Sequence, residues 1–185
     1  MKKVLITGAG SGLGRGTAIG LAKAGHKVFA TTHIWAQASD LQREAAKLDL
    51  GDQLTVNKLD VLDERDVKRT MSWDFDTFVS NAAIGESGPI SEIPVDLVRR
   101  TFETNVFSNL AMAQQVVRKF IDSKTQGRIV FVSSMGGMLT AYRRSIQDPT
   151  TPDSTIAWPP RPTTGTTTPF TSRKRRTFEP ISQRS

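Results

Sequence analysis

Apolar and polar positions follow two different periods along the chain. "KKVLITG" is a short apolar run closed by glycine, and "SGLGRGTAIGLAKAGHKV" follows with Leu13, Ala18, Leu21 and Ala22 at helical spacing before Gly25 stops it. "KVFATT" predicts a second strand, "ASDLQREAAKLDL" a second helix and "LTVNKLDV" a third strand. "DERDVKRTM" predicts a short helix, "DTFVSNA" a strand, "VDLVRRTFETNVFSNLAMAQQVVRKFIDSK" one long helix and "GRIVFVSS" a fifth strand. Strands and helices alternating with short connections predict an α/β fold: a doubly wound parallel sheet between two layers of helices.

The pattern stops near Thr140. Residues 141–185 hold seven of the nine prolines and fifteen serines and threonines, with no helical or strand period. Such a segment cannot bury enough apolar surface to offset the entropy of ordering it. The expected organisation is one domain over residues 1–140 and a disordered Pro/Thr/Arg-rich tail over 141–185.

Charge and composition narrow the function classes. The formal net charge is +7, but residues 141–185 carry eight Lys/Arg against three Asp/Glu, and the first 140 carry seventeen against fifteen. The folded part is nearly neutral, so a nucleic-acid partner is not expected. "SRKRR", Ser172 to Arg176, is a weak localisation or phosphate-contact pattern, and such runs are commonly solvated charge clusters. The absence of cysteine excludes a disulfide framework and thiolate chemistry, and two histidines, His26 and His33, argue against a zinc site. Lys2 and Lys3 precede only Val4-Leu5-Ile6, too short for a secretory signal, and no apolar run approaches the roughly 20 residues that span a bilayer. The expected address is the cytoplasm, with no membrane contact.

The chemistry begins at "TGAGSGLG", Thr7 to Gly14, where the first strand hands over to the first helix. Glycines at 8, 12 and 14 let the backbone turn tightly and allow a pyrophosphate to approach a helix N-terminus, whose N–H groups and dipole favour an anion. The G-x-G-x-x-G spacing does not fit, because it would place its last glycine on Leu13 or Arg15. At the start of a β-α-β pattern the loop points to dinucleotide binding, with Gly8, Ser11, Gly12, Leu13 and Gly14 as contacts. At the end of the second strand Thr32 stands where an acid would bind the ribose hydroxyls of NAD, and His33 follows it. Without a carboxylate to repel a 2′-phosphate, and with Arg15 in the loop, NADP is expected over NAD.

These motifs together resemble the short-chain dehydrogenase/reductase family over about residues 1–140. "LDV" resembles the family's adenine-contacting segment, which implies a cofactor role for Asp60 and Val61. "VSNAAIG" resembles its Asn-Asn-Ala-Gly turn, with Asn81 and Ala82 matching, while Ser80 and Ala83 depart from it. "NVF" places Asn105 at the structural and proton-relay Asn, and "GRIVFVSSMGG" places Ser134 at the catalytic Ser. Each residue also has a plainer reading: Asp60 as a helix cap, Asn81 as a partner for turn backbone, Asn105 at a helix bend, Ser133 and Ser134 as turn residues.

The resemblance implies a Rossmann-type sheet, truncated here after its fifth strand. It also implies hydride transfer between NAD(P)H and a small carbonyl or alcohol substrate, and homo-oligomers whose interface is incomplete in this chain. It further requires a Tyr with a Lys four residues later, because free Tyr titrates near about 10 and needs a nearby cation to act at neutral pH. The single tyrosine, Tyr142, lies eight residues beyond Ser134 and is followed four residues later by Ile146. It is therefore a doubtful acid, and the activity is expected to be impaired. The alternative is a non-catalytic module that binds NADP or a protein partner. Two accounts of the break stand: an authentic divergent tail, or a slipped frame, since codons for Ala141 to Pro149 read out of register can spell Leu-Pro-Ala-Val-Tyr-Ser-Gly-Ser.

Overall fold

The computed structural model describes residues 1–86 and 88–134. Tyr142 and the whole 141–185 segment lie outside the described residues. Five strands, β1 (Lys3–Ile6), β2 (Lys27–Thr32), β3 (Leu54–Lys58), β4 (Thr77–Ser80) and β5 (Arg128–Phe131), form one sheet in the order β3-β2-β1-β4-β5. All four pairings are parallel, with Val4 opposite both Val28 and Thr77. The helices are α1 (Gly12–Lys23), α2 (Trp35–Lys47), α3 (Glu64–Met71), α4 (Val95–Phe102) and α5 (Ser108–Asp122).

Alternation along the strands builds two cores. Val4, Ile6, Val28 and Ala30 face one side of the sheet, where they pack with Ala18 and Ala22 of α1 and Leu41 and Ala45 of α2. Leu5 and Phe78 face the other side, against Val67 of α3 and Met112, Val116 and Phe120 of α5. The three layers expected from the alternating pattern are present. No helix among the described residues is long and apolar enough to cross a membrane.

Three details differ from the sequence pattern. The inward face of α1 is Gly14, Ala18 and Ala22, while Leu13 is 78% exposed and Leu21 only partly buried. Small side chains at four-residue spacing let α1 lie close to the sheet, and a leucine on that face would hold it away. Helix α2 starts at Trp35, three residues before the apolar period begins, because Ile34 and Trp35 are exposed and give no core-facing signal. The single long helix is interrupted by a π-helical turn at Glu103–Phe107, between α4 and α5. Its wide geometry is stabilised by side chains: the Ser108 hydroxyl donates to the Thr104 carbonyl (2.6 Å) and Asn109 Nδ2 to the Asn105 carbonyl (2.8 Å).

The sheet is apolar at its open edge. Among the described residues strand β5 pairs only with β4, and Val130, Phe131 and Val132 are all exposed. Phe102, Val106, Leu110, Val117 and Ile121 add an exposed apolar stripe along α4 and α5. Ala113 is buried, because it sits on the helix side turned to the sheet with Met112 and Val116. An unpaired hydrophobic edge beside such a stripe favours association. The purified chain should self-associate, and Val130→Lys combined with Leu110→Glu should lower its mass by light scattering; a monodisperse wild-type monomer would count against this.

Candidate active site

The C-terminal ends of β1 and β4 are stapled together by Thr7 and Asn81. The buried Thr7 hydroxyl accepts hydrogen bonds from the backbone N–H groups of Asn81 and Ala82, both at 3.0 Å. Asn81 Nδ2 returns two bonds, to the carbonyls of Thr7 (2.9 Å) and Gly8 (3.1 Å). The crowding leaves no room for side chains on the glycines between them. A Cβ on Gly14 would lie 2.3 Å from the Gly8 carbonyl oxygen and 2.4 Å from Asn81 Nδ2, and one on Gly8, whose φ is +69°, would lie 2.8 Å from the Ala82 Cα.

Gly12 is different in kind. It adopts φ +53°, which L side chains rarely take, yet a Cβ there would meet nothing within 4 Å. The open space lies at the N-terminus of α1, where Ser11 makes no side-chain capping bond and no acidic residue occupies the first turn. The first N–H groups of a helix lack intrahelical partners and carry the positive end of its dipole. A bare, uncapped helix start with free space over a glycine fits the pyrophosphate of a dinucleotide.

This helix start opens into a cleft of about 510 Å³, within the usual range for a small-molecule site. Gly8, Ser11, Gly12, Leu13, Gly14, His33, Asp60, Val61, Asn81 and Ala82, ten of the residues singled out in the sequence, line it. Leu59, Val61, Leu62, Ala82 and Ile84 make one part of the lining apolar, suited to a flat aromatic base. Thr32 is fully buried, and its hydroxyl donates to the Ile34 carbonyl (3.1 Å), so it shapes the β2 end from behind the lining. Asn105 and Ser134 are not among the lining residues. The Asn105 side chain bridges both backbone groups of Ile84, accepting from its N–H (2.8 Å) and donating to its carbonyl (2.7 Å). Ser134 lies three residues beyond β5 and is exposed.

Several contributors gave no sequence signal. Ser80, a departure from the family's turn, donates to Asn109 Oδ1 (2.7 Å), so a serine and a second asparagine together fill a polar position at the end of β4. Asp60 does not cap α3; Asp63 does, accepting from the N–H groups of Arg65 (2.8 Å) and Asp66 (3.3 Å). Asp60 instead makes an Asx turn with the Leu62 N–H (3.0 Å), and its Oδ1 lies 3.8 Å from His33 Nδ1. Asp66 holds this loop from beneath, accepting from the Asp60 N–H (2.9 Å) and Lys58 Nζ (2.6 Å) while Arg69 lies 2.9 Å away. Burial pushes the Asp66 carboxyl up, but the Asp60 N–H, the Lys58 ammonium and the Arg69 guanidinium outweigh it and hold it below its ordinary value. The same bond to Asp66 raises Lys58. Arg15, expected near a phosphate, is engaged through its Nε with Glu44 Oε2 of α2 (2.7 Å).

A parallel sheet whose order reverses at β1, with a glycine loop and cleft at that switch point, defines a Rossmann-type doubly wound domain. The profile of the short chain dehydrogenase family matches residues 2–146, and the chain belongs to that family. It is 31% identical over 147 residues to the D-erythrulose reductase of Gallus gallus, covering 80% of this chain and 56% of that one. A crystal structure of a short-chain type dehydrogenase/reductase from Mycobacterium marinum superposes with a TM-score of 0.70 at 26% identity, covering 77% of this chain and 59% of that one. The closed form of a serine dehydrogenase complexed with NADP+ superposes with a TM-score of 0.66 at 26% identity, covering 75% of this chain and 56% of that one. The chain thus spans little more than half the length of these relatives.

The two kinds of glycine should behave differently when substituted. Gly14→Ala must displace backbone and is expected to cost about 1–3 kcal/mol, whereas Gly12→Ala carries only the left-handed strain of roughly 1–2 kcal/mol. Melting curves should rank Gly14→Ala as the less stable variant. Asp66→Asn should cost about 1–3 kcal/mol at neutral pH by leaving Lys58 unpaired. A depressed carboxyl stabilises the fold above its ordinary value of 3.8 and loses that contribution as pH falls through the lower folded value. The gap between variant and wild type in urea unfolding should therefore narrow towards pH 3.

Proposed function

We propose that this chain is the cofactor-binding part of an oxidoreductase that moves hydride between NAD(P)H and a small carbonyl or alcohol substrate. The observation that carries this reading is the uncapped start of α1 under the bare Gly12, opening into a cleft that also holds an apolar slot. A nicotinamide cofactor, when bound, supplies or accepts the hydride. The residues of this chain do the holding: the α1 N-terminus receives the pyrophosphate, Asp60 and Val61 the adenine, and the Asn81–Ala82 turn closes the side nearest β4. Asn105 keeps the Ile84 segment in place, and Ser134, by family position, hydrogen-bonds the substrate oxygen. The D-erythrulose reductase likeness supports a small, polar carbonyl compound as substrate.

Proton transfer to that oxygen is the weak step. Tyr142 has Ile146 four residues on, so no lysine is helix-spaced to it, and turnover should fall by about 10²–10⁴-fold relative to a complete general-acid site. The same facts favour a second reading, a non-catalytic module that retains its cofactor cleft, located in the cytoplasm. NADP is the preferred cofactor: no carboxylate stands at Thr32, and His33 lines the cleft beside it. Because Glu44 engages Arg15, this preference rests on His33. The exposed stripe on α4 and α5 supports a homo-oligomer whose interface is incomplete.

Fluorescence titration should show submillimolar NADPH binding, weaker NADH binding, and a smaller difference between the two in His33→Ala. Binding without carbonyl reduction supports the module; ordinary NADPH-dependent turnover by the purified chain would overturn the impairment, and absence of any NADPH binding would overturn the cofactor reading.

A further inference from the structure

The cleft is short of positive charge where a dinucleotide needs it. The pyrophosphate brings two negative charges, and the helix start answers with only about half an elementary charge. The glycine loop contains no cation, and Arg15, just past its last glycine, is not among the lining residues: its Nε bonds Glu44 (2.7 Å) and its Nη1 reaches the Gly10 carbonyl at 3.5 Å. Asp60 adds a negative charge to the lining. Among the described residues one permanently charged cation lines the cleft, Arg100.

Arg100 sits in the last turn of α4, four residues before Thr104, which also lines the cleft and is buried. Four-residue spacing puts both on one helical face, turned to the site. The π-helical turn that follows is fixed to the end of β4 through Asn105 and Ile84, so the wall carrying Arg100 has a fixed root. Its neighbour Arg99 lies 4.0 Å from Asp96, within α4. Arg100 is exposed, and among the described residues its guanidinium is in no hydrogen bond or ion pair. A guanidinium is planar, always charged and weakly hydrated, which suits it to fold onto a phosphate.

We propose that Arg100 is a cofactor-binding residue that closes over the mouth of the cleft and neutralises the phosphate charge of the bound dinucleotide. This rests on the dinucleotide reading of the cleft and adds to it a residue from α4, remote in sequence from the glycine loop. It predicts that the contribution of Arg100 to affinity follows the pyrophosphate of the ligand and not its base or its 2′ substituent.

The test is titration of the full chain, as wild type, Arg100→Gln and Arg100→Lys, with adenosine, ADP, NADH and NADPH at low and high salt. Melting temperatures serve as the fold control. Arg100→Gln should weaken ADP, NADH and NADPH alike by roughly tenfold, leave adenosine unchanged and flatten the salt dependence, while Arg100→Lys recovers part of the loss. Unchanged ADP affinity in Arg100→Gln, with wild-type binding intact, would overturn the assignment alone. An equal loss of adenosine and ADP would also overturn it, by pointing to stacking or packing instead of charge. A wild-type chain that binds none of these ligands would overturn the dinucleotide reading, and Arg100 with it.

Discussion

The arrangement around the cleft depends on how closely the first helix can approach the ends of β1 and β4. Gly14 lies where a Cβ would fall 2.3 Å from the Gly8 carbonyl oxygen, and Asn81 binds that same oxygen from the side. Thr7 supplies the matching acceptor for the Asn81 and Ala82 N–H groups. Buried backbone groups at the ends of two parallel strands must find partners, and here one hydroxyl and one amide satisfy them while setting the distance between strand ends. With that distance set, α1 lies on the sheet through Gly14, Ala18 and Ala22 and points its N-terminus into the space above.

A second polar set holds the far wall. Asn105 clamps Ile84, Asn109 takes the Asn105 carbonyl, and Ser80 joins Asn109 to the end of β4. The π-helical turn leaves carbonyls that an α-helix would pair, and the Ser108 hydroxyl and Asn109 Nδ2 bond two of them, those of Thr104 and Asn105. On the opposite side Asp66 gathers Lys58, Arg69 and the Asp60 N–H, so the loop after β3 is held by an ion cluster as well as by the packing of Leu59 and Val61. The lining is thus carried on supports of three kinds: a glycine contact, an amide ladder and a buried carboxylate.

Much of this was legible beforehand. Three layers and five parallel strands followed from alternating apolar runs, because burial on both sheet faces imposes period and length on the sequence. Ten of the cofactor residues named from the loop and turn motifs line one cleft. Other features were not legible. The π-helical turn at Glu103–Phe107 interrupts what reads as one continuous helical period, since it is fixed by side-chain bonds from Ser108 and Asn109. Arg15 reads as a phosphate cation until Glu44, 29 residues away, is found beside it.

The sequence by itself determined the strand order of chemistry, the glycine positions and the lack of a helix-spaced Tyr and Lys, because each is a local pattern of residue type and spacing. Only the tertiary structure decided which charges remain for a ligand. Arg15 and Arg100 are the same residue type, one just past the glycine loop and one in α4, yet the first is engaged by α2 and the second faces the cleft. Charge pairing depends on distances between segments far apart in the chain, and a linear pattern carries no information about those distances until the sheet brings the segments together.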